Sequence, residues 1–261
     1  MECSLQFHTA EYSSRALRQM QKVGWCFAKN PFCERQNDYP VVLFLHGMKS
    51  DFTGWWSNTK FAAAAMQYPA LYVFANSEPH GWYTDGINSG LKCEQDIVDD
   101  LVPWVRTNIA ADQACSGWAI AGQSMGGYGA IKLALKYPEL FRHALAFSGA
   151  FNVTRNPEPH PVFGDPVNDR ALRRANDLYS LAEEALCRFP TDRPQISFNC
   201  GTEDPFLEAS RAFHQHLQFI GYGHTYWEEK GQHTWPYWNR ALKRALPRLF
   251  AQMSPKPGGL V

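Results

Sequence analysis

Apolar residues along the chain fall into patterns of two periods. Residues 5–8 and 23–27 alternate with period 2, as strands with one face on a core do. Residues 41–45 and 71–74 are unbroken apolar runs, the signature of strands buried on both faces of a parallel sheet. Further β-rich runs at 118–121, 144–147, 195–199 and 224–227 complete a set of eight. Between the later runs the period lengthens. Ile97, Leu101, Trp104 and Val105 recur at helical spacing, as do Ile131, Leu133, Ala134 and Leu140. Helices are also predicted around 170–188, 206–220 and 237–250. This alternation predicts an α/β fold, an eight-stranded, mostly parallel sheet with helices on both faces. Ligands on such sheets bind beyond the carboxyl ends of the strands, which directs attention to the loops there.

Residues 1–253 are expected to form a single domain, with 254–261, rich in proline and glycine, as a frayed tail. The stretch 151–170 interrupts the pattern with Pro157, Pro159, Pro161 and Pro166. It predicts an irregular insertion, either a cap over a substrate site or a stiff surface loop.

Composition narrows the function classes. Twenty-five Lys and Arg balance 25 Asp and Glu, so the chain lacks the basic footprint of a nucleic-acid binder or an anionic-membrane binder. No apolar run approaches the ~18 residues of a membrane span. The start, Met1-Glu2-Cys3-Ser4-Leu5, carries neither a basic nor an apolar leader segment, so a cytoplasmic protein is expected unless a leader has been removed. Seven cysteines, none in a Cys-x-x-Cys arrangement, point to reduced thiols rather than a zinc or redox motif.

The sharpest chemical signal is Gly122-Gln123-Ser124-Met125-Gly126, directly after one apolar run and directly before a helical pattern. A serine between flanking glycines on a strand-to-helix turn is lifted above the sheet, at the positive end of the next helix. Its hydroxyl is unreactive at neutral pH without a base, and that base needs a carboxylate to orient it. In this architecture the acid and the base follow the serine in that order. Two strands later comes Gly201-Thr202-Glu203-Asp204-Pro205, and one strand further Gly231-Gln232-His233-Thr234-Trp235. Chain order selects His233 over His224, which begins a strand. Asp204, on a turn beside Pro205, is favoured over its longer neighbour Glu203. Two backbone N–H groups are needed for the oxyanion. One is expected from Met125 and the other from Met48, where Gly47 permits close approach; His46 precedes the serine and is read as an orienting side chain in that loop. Trp55, Trp56, Trp82 and Tyr83 follow strands on the same side and are candidates to line an acyl or alcohol pocket, or to be buried beneath the loops.

These residues resemble the esterase D / tributyrin esterase group of α/β-hydrolases, which includes feruloyl and acetyl esterases, S-formylglutathione hydrolases and, more distantly, mycolyltransferases. The resemblance runs from about Ser13 to about Leu249. It is carried by His46-Gly47-Met48, Gly81-Trp82-Tyr83-Thr84-Asp85, the elbow at 122–130, Phe163-Gly164-Asp165, Cys200-Gly201-Thr202-Glu203-Asp204 and His233-Thr234-Trp235. It implies a serine carboxylesterase acting on small-molecule ester substrates, with Ser124, Asp204 and His233 as triad, Met48 and Met125 as oxyanion donors, and no metal or organic cofactor. One departure stands out. Members carry further glycine after His-Gly-Met, whereas Met48 is followed here by Lys49-Ser50-Asp51. A distinctive formylglutathione-hydrolase segment is not evident, which favours simple short-chain esters over that thioester. Acyltransfer with the same triad is the alternative chemistry, and a non-catalytic binding protein on the same fold the alternative class.

Overall fold

The computed structural model describes residues 5–28, 39–77, 81–87, 92–109 and 118–253. The expected tail at 254–261 lies outside them.

Strands β1 (Phe7–Ser14) and β2 (Gln19–Ala28) form a hairpin, followed by β3 (Val41–Leu45), α1 (Gly54–Asn58), α2 (Phe61–Ala65) and β4 (Ala70–Ala75). Helix α3 (Cys93–Gln95) runs through a π-helical turn, Asp96–Leu101, into α4 (Val102–Asn108). Then come β5 (Trp118–Gln123), α5 (Met125–Lys136), β6 (Phe141–Phe147), α6 (Arg170–Ala175), α7 (Leu178–Arg188), β7 (Gln195–Gly201), α8 (Leu207–Phe219), β8 (His224–Glu229) and α9 (Trp235–Met253).

All eight strands join one sheet in the order β1-β2-β4-β3-β5-β6-β7-β8. β1 and β2, and β2 and β4, pair antiparallel; the remaining pairs are parallel. Side chains alternate between faces along a strand, and β3 shows this cleanly. Val41, Leu43 and Leu45 enter one core cluster with residues of α4, α5, α7 and α8, while Val42 and Phe44 enter another with α1, α2 and α9. Helices therefore cover both faces, as the unbroken apolar runs imply.

β3 lies between β4 and β5, so the chain leaves it in one direction and returns on its other side. The resulting crevice at the carboxyl ends of β3 and β5 is where such sheets bind ligands.

Some elements differ from expectation. β1 extends to Ser14 rather than stopping at 8; as the edge strand it exposes His8, Thr9, Glu11 and Ser13, which blurs the apolar alternation. Helices α1 and α2, five residues each, are too short to write a periodic stripe. Leu140 lies beyond α5, its N–H bonded to the Tyr137 carbonyl in the turn before β6. The π turn buries both Asp96 and Asp100, where they meet the β1–β2 hairpin: Tyr12 donates to Asp96 Oδ2 at 2.8 Å and the Ala16 N–H to Asp100 Oδ2 at 2.9 Å.

The proline-rich stretch is pinned down. The buried Arg173 guanidinium donates to the carbonyls of Thr154, Asn156, Glu158 and Gly164. Asp177 accepts from both Thr154 and Arg155.

Candidate active site

The turn between β5 and α5 sets the geometry of everything else. Ser124 has φ 55 and ψ −118, a conformation that L-residues avoid and that persists only where the surroundings impose it. Its N–H donates to the Phe147 carbonyl at 2.9 Å, and its own carbonyl accepts from the Tyr128 N–H at 3.1 Å. The flanking glycines are steric necessities. A Cβ on Gly122 would come within 2.3 Å of the Gly126 carbonyl oxygen, and one on Gly126 within 2.5 Å of the Leu45 oxygen. The turn thus packs helix α5 directly against the end of β3.

Two other loops reach this point. Beyond β7 and β8 the ladder continues, with the Thr202 N–H on the Glu229 carbonyl and the Glu203 N–H on the Gly231 carbonyl. Gly201 allows that approach, since a Cβ there would meet the Gly231 oxygen at 2.3 Å. Asp204 and His233 are held side by side as a result. His233 Nδ1 lies 2.9 Å from Asp204 Oδ2 and 3.1 Å from Oδ1, and His233 Nε2 lies 2.9 Å from Ser124 Oγ. A carboxylate only accepts, so Nδ1 carries the proton and Nε2 is left to accept from the serine hydroxyl. Asp204 is buried and its Oδ1 also accepts from the Phe206 N–H at 2.9 Å, which fixes its rotamer. Glu203 faces away, exposed, accepting from Gln232. The His233 ring is packed between Phe206 and Trp238, each centroid 5.0 Å away.

The loop after β3 stands opposite. Gly47 lies against the elbow, where a Cβ would sit 3.3 Å from Ser124 Cβ. Met48 follows, half-exposed, and its N–H has no hydrogen-bond partner among the described residues. Met125, fully buried, opens α5 immediately after the serine. His46 is buried with its Nδ1 2.8 Å from the Gly47 carbonyl oxygen, and the Ser77 N–H donates to its Nε2 at 2.9 Å.

A cavity of about 550 Å³ opens beside Ser124 and His233, walled by Met48, Lys49, Asn58, Trp235 and Trp238. None of the four aromatics expected from the sequence lines it, and no residue of 151–170 does. Trp55 is 1% exposed, donates its indole N–H to the Leu45 carbonyl and stands edge-on behind Trp235. Trp56 stacks on Phe7 at 4.9 Å and closes over Gly24. Trp82 is enclosed by Tyr128, His160 and Phe163. Tyr83 is wholly buried and donates its hydroxyl to the His46 carbonyl at 2.9 Å. The correction has a simple cause: loops above a sheet need apolar filling of their own, and these rings supply it. The wall instead comes from the first turn of α9, where Trp235 and Trp238 are two and five residues after His233. That proximity in sequence was the available signal.

Among the described residues no group of three or more His, Cys, Asp or Glu side chains could hold a metal ion. No helix described is long and apolar enough to cross a membrane. Burial pushes the thiols of Cys26 and Cys200 up to about 12, leaving them protonated and inert.

A sequence model of the family described as "Putative esterase" matches residues 28–249. An acetyl esterase of Caldicellulosiruptor saccharolyticus is 25% identical over 222 residues, 78% of this chain and 81% of its own. The substrate-bound fluorophosphonate-binding serine hydrolase F of Staphylococcus aureus superposes with a TM-score of 0.81 at 22% identity, over 95% of this chain and 99% of that one. The S-formylglutathione hydrolase of the same organism superposes with a TM-score of 0.79 at 21% identity, over 94% and 99%. The fold is the α/β-hydrolase fold.

Proposed function

Because the chain belongs to the esterase family and is a serine-type carboxylic ester hydrolase, we propose that it cleaves short-chain acyl esters of small, uncharged alcohols through an acyl-enzyme formed on Ser124. The observation that carries this reading is the unbroken hydrogen-bond line from Ser124 Oγ through the His233 ring to Asp204.

Ser124 attacks the ester carbonyl as His233 Nε2 takes its proton. Asp204 keeps the imidazole in the tautomer that can accept it and stabilises the imidazolium that forms. The developing oxyanion lies between the N–H groups of Met48 and Met125, donors that are in place before charge develops. His233 returns the proton to the leaving alcohol, and water repeats the cycle on the acyl-enzyme. The balance of charges supports a neutral substrate, since an overall neutral chain offers no long-range steering. The bulk of Trp235 and Trp238 at the cavity wall favours a short acyl chain.

The test is hydrolysis of a p-nitrophenyl ester series from acetate to octanoate, with matched acetyl thioesters and added alcohol acceptors. Turnover should be highest with acetate or butyrate, and Ser124→Ala should lower kcat at least ~10³-fold. Wild-type turnover in Ser124→Ala would remove the nucleophile assignment. A strong preference for the thioester, or for an acceptor alcohol over water, would move the reading to a thioesterase or an acyltransferase.

A further inference from the structure

Resting on the serine-esterase reading above, we propose that Tyr83 is a positioning residue for the oxyanion site, its phenol gripping the loop that presents the Met48 N–H and itself held by a buried lysine on the nucleophile's own helix.

The Met48 N–H shares a planar trans peptide with the Gly47 carbonyl, so the two point in opposite directions and fixing one aims the other. The Gly47 oxygen is held twice, by the Ser50 N–H at 3.2 Å and by His46 Nδ1 at 2.8 Å. The imidazole is itself oriented. Ser77 donates to its Nε2, which makes Nδ1 the protonated nitrogen and therefore the donor to Gly47. One peptide earlier, the His46 carbonyl accepts the Tyr83 hydroxyl at 2.9 Å. Two successive peptides are thus clamped on either side of a glycine whose backbone would otherwise be the freest in the loop.

The phenol is a rigid anchor because its own backbone is over-determined. Trp82 and Tyr83 have φ of 52 and 51, two consecutive non-glycine residues in the left-handed region, in a turn closed by the Thr84 N–H on the Gly81 carbonyl. Lys132, fully buried, donates its ammonium to the Tyr83 carbonyl at 2.5 Å, to Thr84 Oγ1 at 2.8 Å and to Glu94 Oε2 at 2.7 Å. The Tyr83 ring lies directly against Gly129, where a Cβ would come within 2.5 Å of it. Lys132 and Gly129 both belong to α5, the helix that begins at the nucleophile. Nucleophile and oxyanion loop are therefore both referenced to one rigid element, through a residue that never touches the substrate.

Tyr83→Phe deletes the hydroxyl and little else. Its kcat on p-nitrophenyl acetate should fall about tenfold with KM within about twofold, less than the loss on removing an oxyanion donor outright. The Ki of an alkylboronic acid, whose tetrahedral serine adduct places an oxygen at the oxyanion position, should rise by about the same tenfold. Tyr222→Phe serves as the control: it deletes another buried phenol that donates to a backbone carbonyl, Pro194, at 2.8 Å, outside the Lys132 network. It should leave kcat and the boronate Ki within about twofold of wild type. If Tyr83→Phe does not fold, the His46 pair decides. His46→Asn keeps an N–H near the Nδ1 position and should retain at least five times the kcat of His46→Gln, on the order expected for a misaimed donor. Unchanged kcat and boronate affinity in folded Tyr83→Phe, equal losses in Tyr222→Phe, or equal kcat in the two His46 variants would each overturn the proposal. An enzyme indifferent to Ser124→Ala would instead overturn the underlying reading, so the two failures are distinguishable.

Discussion

Glu94→Gln should destabilise the protein by ~3 kcal/mol near pH 7 and by about half that near pH 3. Glu94 is 4% exposed, and its carboxylate takes the Lys132 ammonium at 2.7 Å, the Tyr137 hydroxyl at 2.7 Å and the Lys136 ammonium. Burial alone would raise its pKa from the usual 4.5, but the two lysines and their hydrogen bonds bring it down to about 2. A carboxyl that titrates at about 2 in the fold rather than at 4.5 stabilises the native state by ~3 kcal/mol at neutral pH. The sign follows from the lowered value: the contribution is complete above the unfolded pKa and is lost as pH falls through the folded one, with ~1.5 kcal/mol remaining near pH 3. The same magnitude follows from breaking a buried pair, about 3–5 kcal/mol, because Lys132, whose pKa burial already lowers, is left without the counter-ion that favours its charged form. Glutamine can still accept from Lys132, but its NH₂ then meets the Lys136 ammonium. Urea unfolding of both proteins, followed by tryptophan fluorescence at several pH values between about 3 and 7, measures the difference directly. A gap below ~1 kcal/mol near pH 7, or one that does not change with pH, would refute the reasoning.

Three further outcomes are expected. Asp204→Asn should lower kcat on p-nitrophenyl acetate by ~10³–10⁴-fold with KM nearly unchanged, because the amide no longer enforces the tautomer that leaves Nε2 free to accept; steady-state kinetics checks this. Arg173→Met frees four carbonyls between Thr154 and Gly164 from their shared donor. Limited proteolysis should then cut within 156–165 at least about tenfold faster than in wild type, with the esterase rate retained. Trp235→Ala removes a wall of the cavity beside Ser124, so kcat/KM for octanoate should rise relative to acetate by about tenfold, the scale on which methylene-sized changes in a pocket discriminate.

The central strands were legible because a strand buried on both faces leaves an unbroken apolar run, and β3 and β4 are buried throughout. The approach of Ser124, His233 and Asp204 followed from chain order once the sheet was taken as parallel. What escaped was whatever depends on contacts across the fold. Nothing in the sequence marks Lys132 as buried, yet α5 is buried from Met125 to Leu135, which forces the ammonium to find its acceptors inside the protein. For Tyr83 and Trp55 the choice between pocket lining and burial beneath the loops stayed open, because the sequence gives their side of the sheet but not their depth. The π turn at Asp96–Leu101 leaves no pattern of its own, since it serves to bring two buried carboxylates to a hairpin some 85 residues earlier.

The placement of β8 at the outer edge of the sheet, paired among the described residues only with β7, has a consequence for the protein as it is being made. His233 is synthesised 109 residues after Ser124, a lag of roughly 5–20 seconds at ordinary ribosomal speeds. During that interval the strained elbow can already be folded on the central strands, but Ser124 has no imidazole beside it. On the mechanism proposed above, a nascent chain is chemically silent until β8 has docked, and the first released nitrophenol marks the moment at which that edge closes.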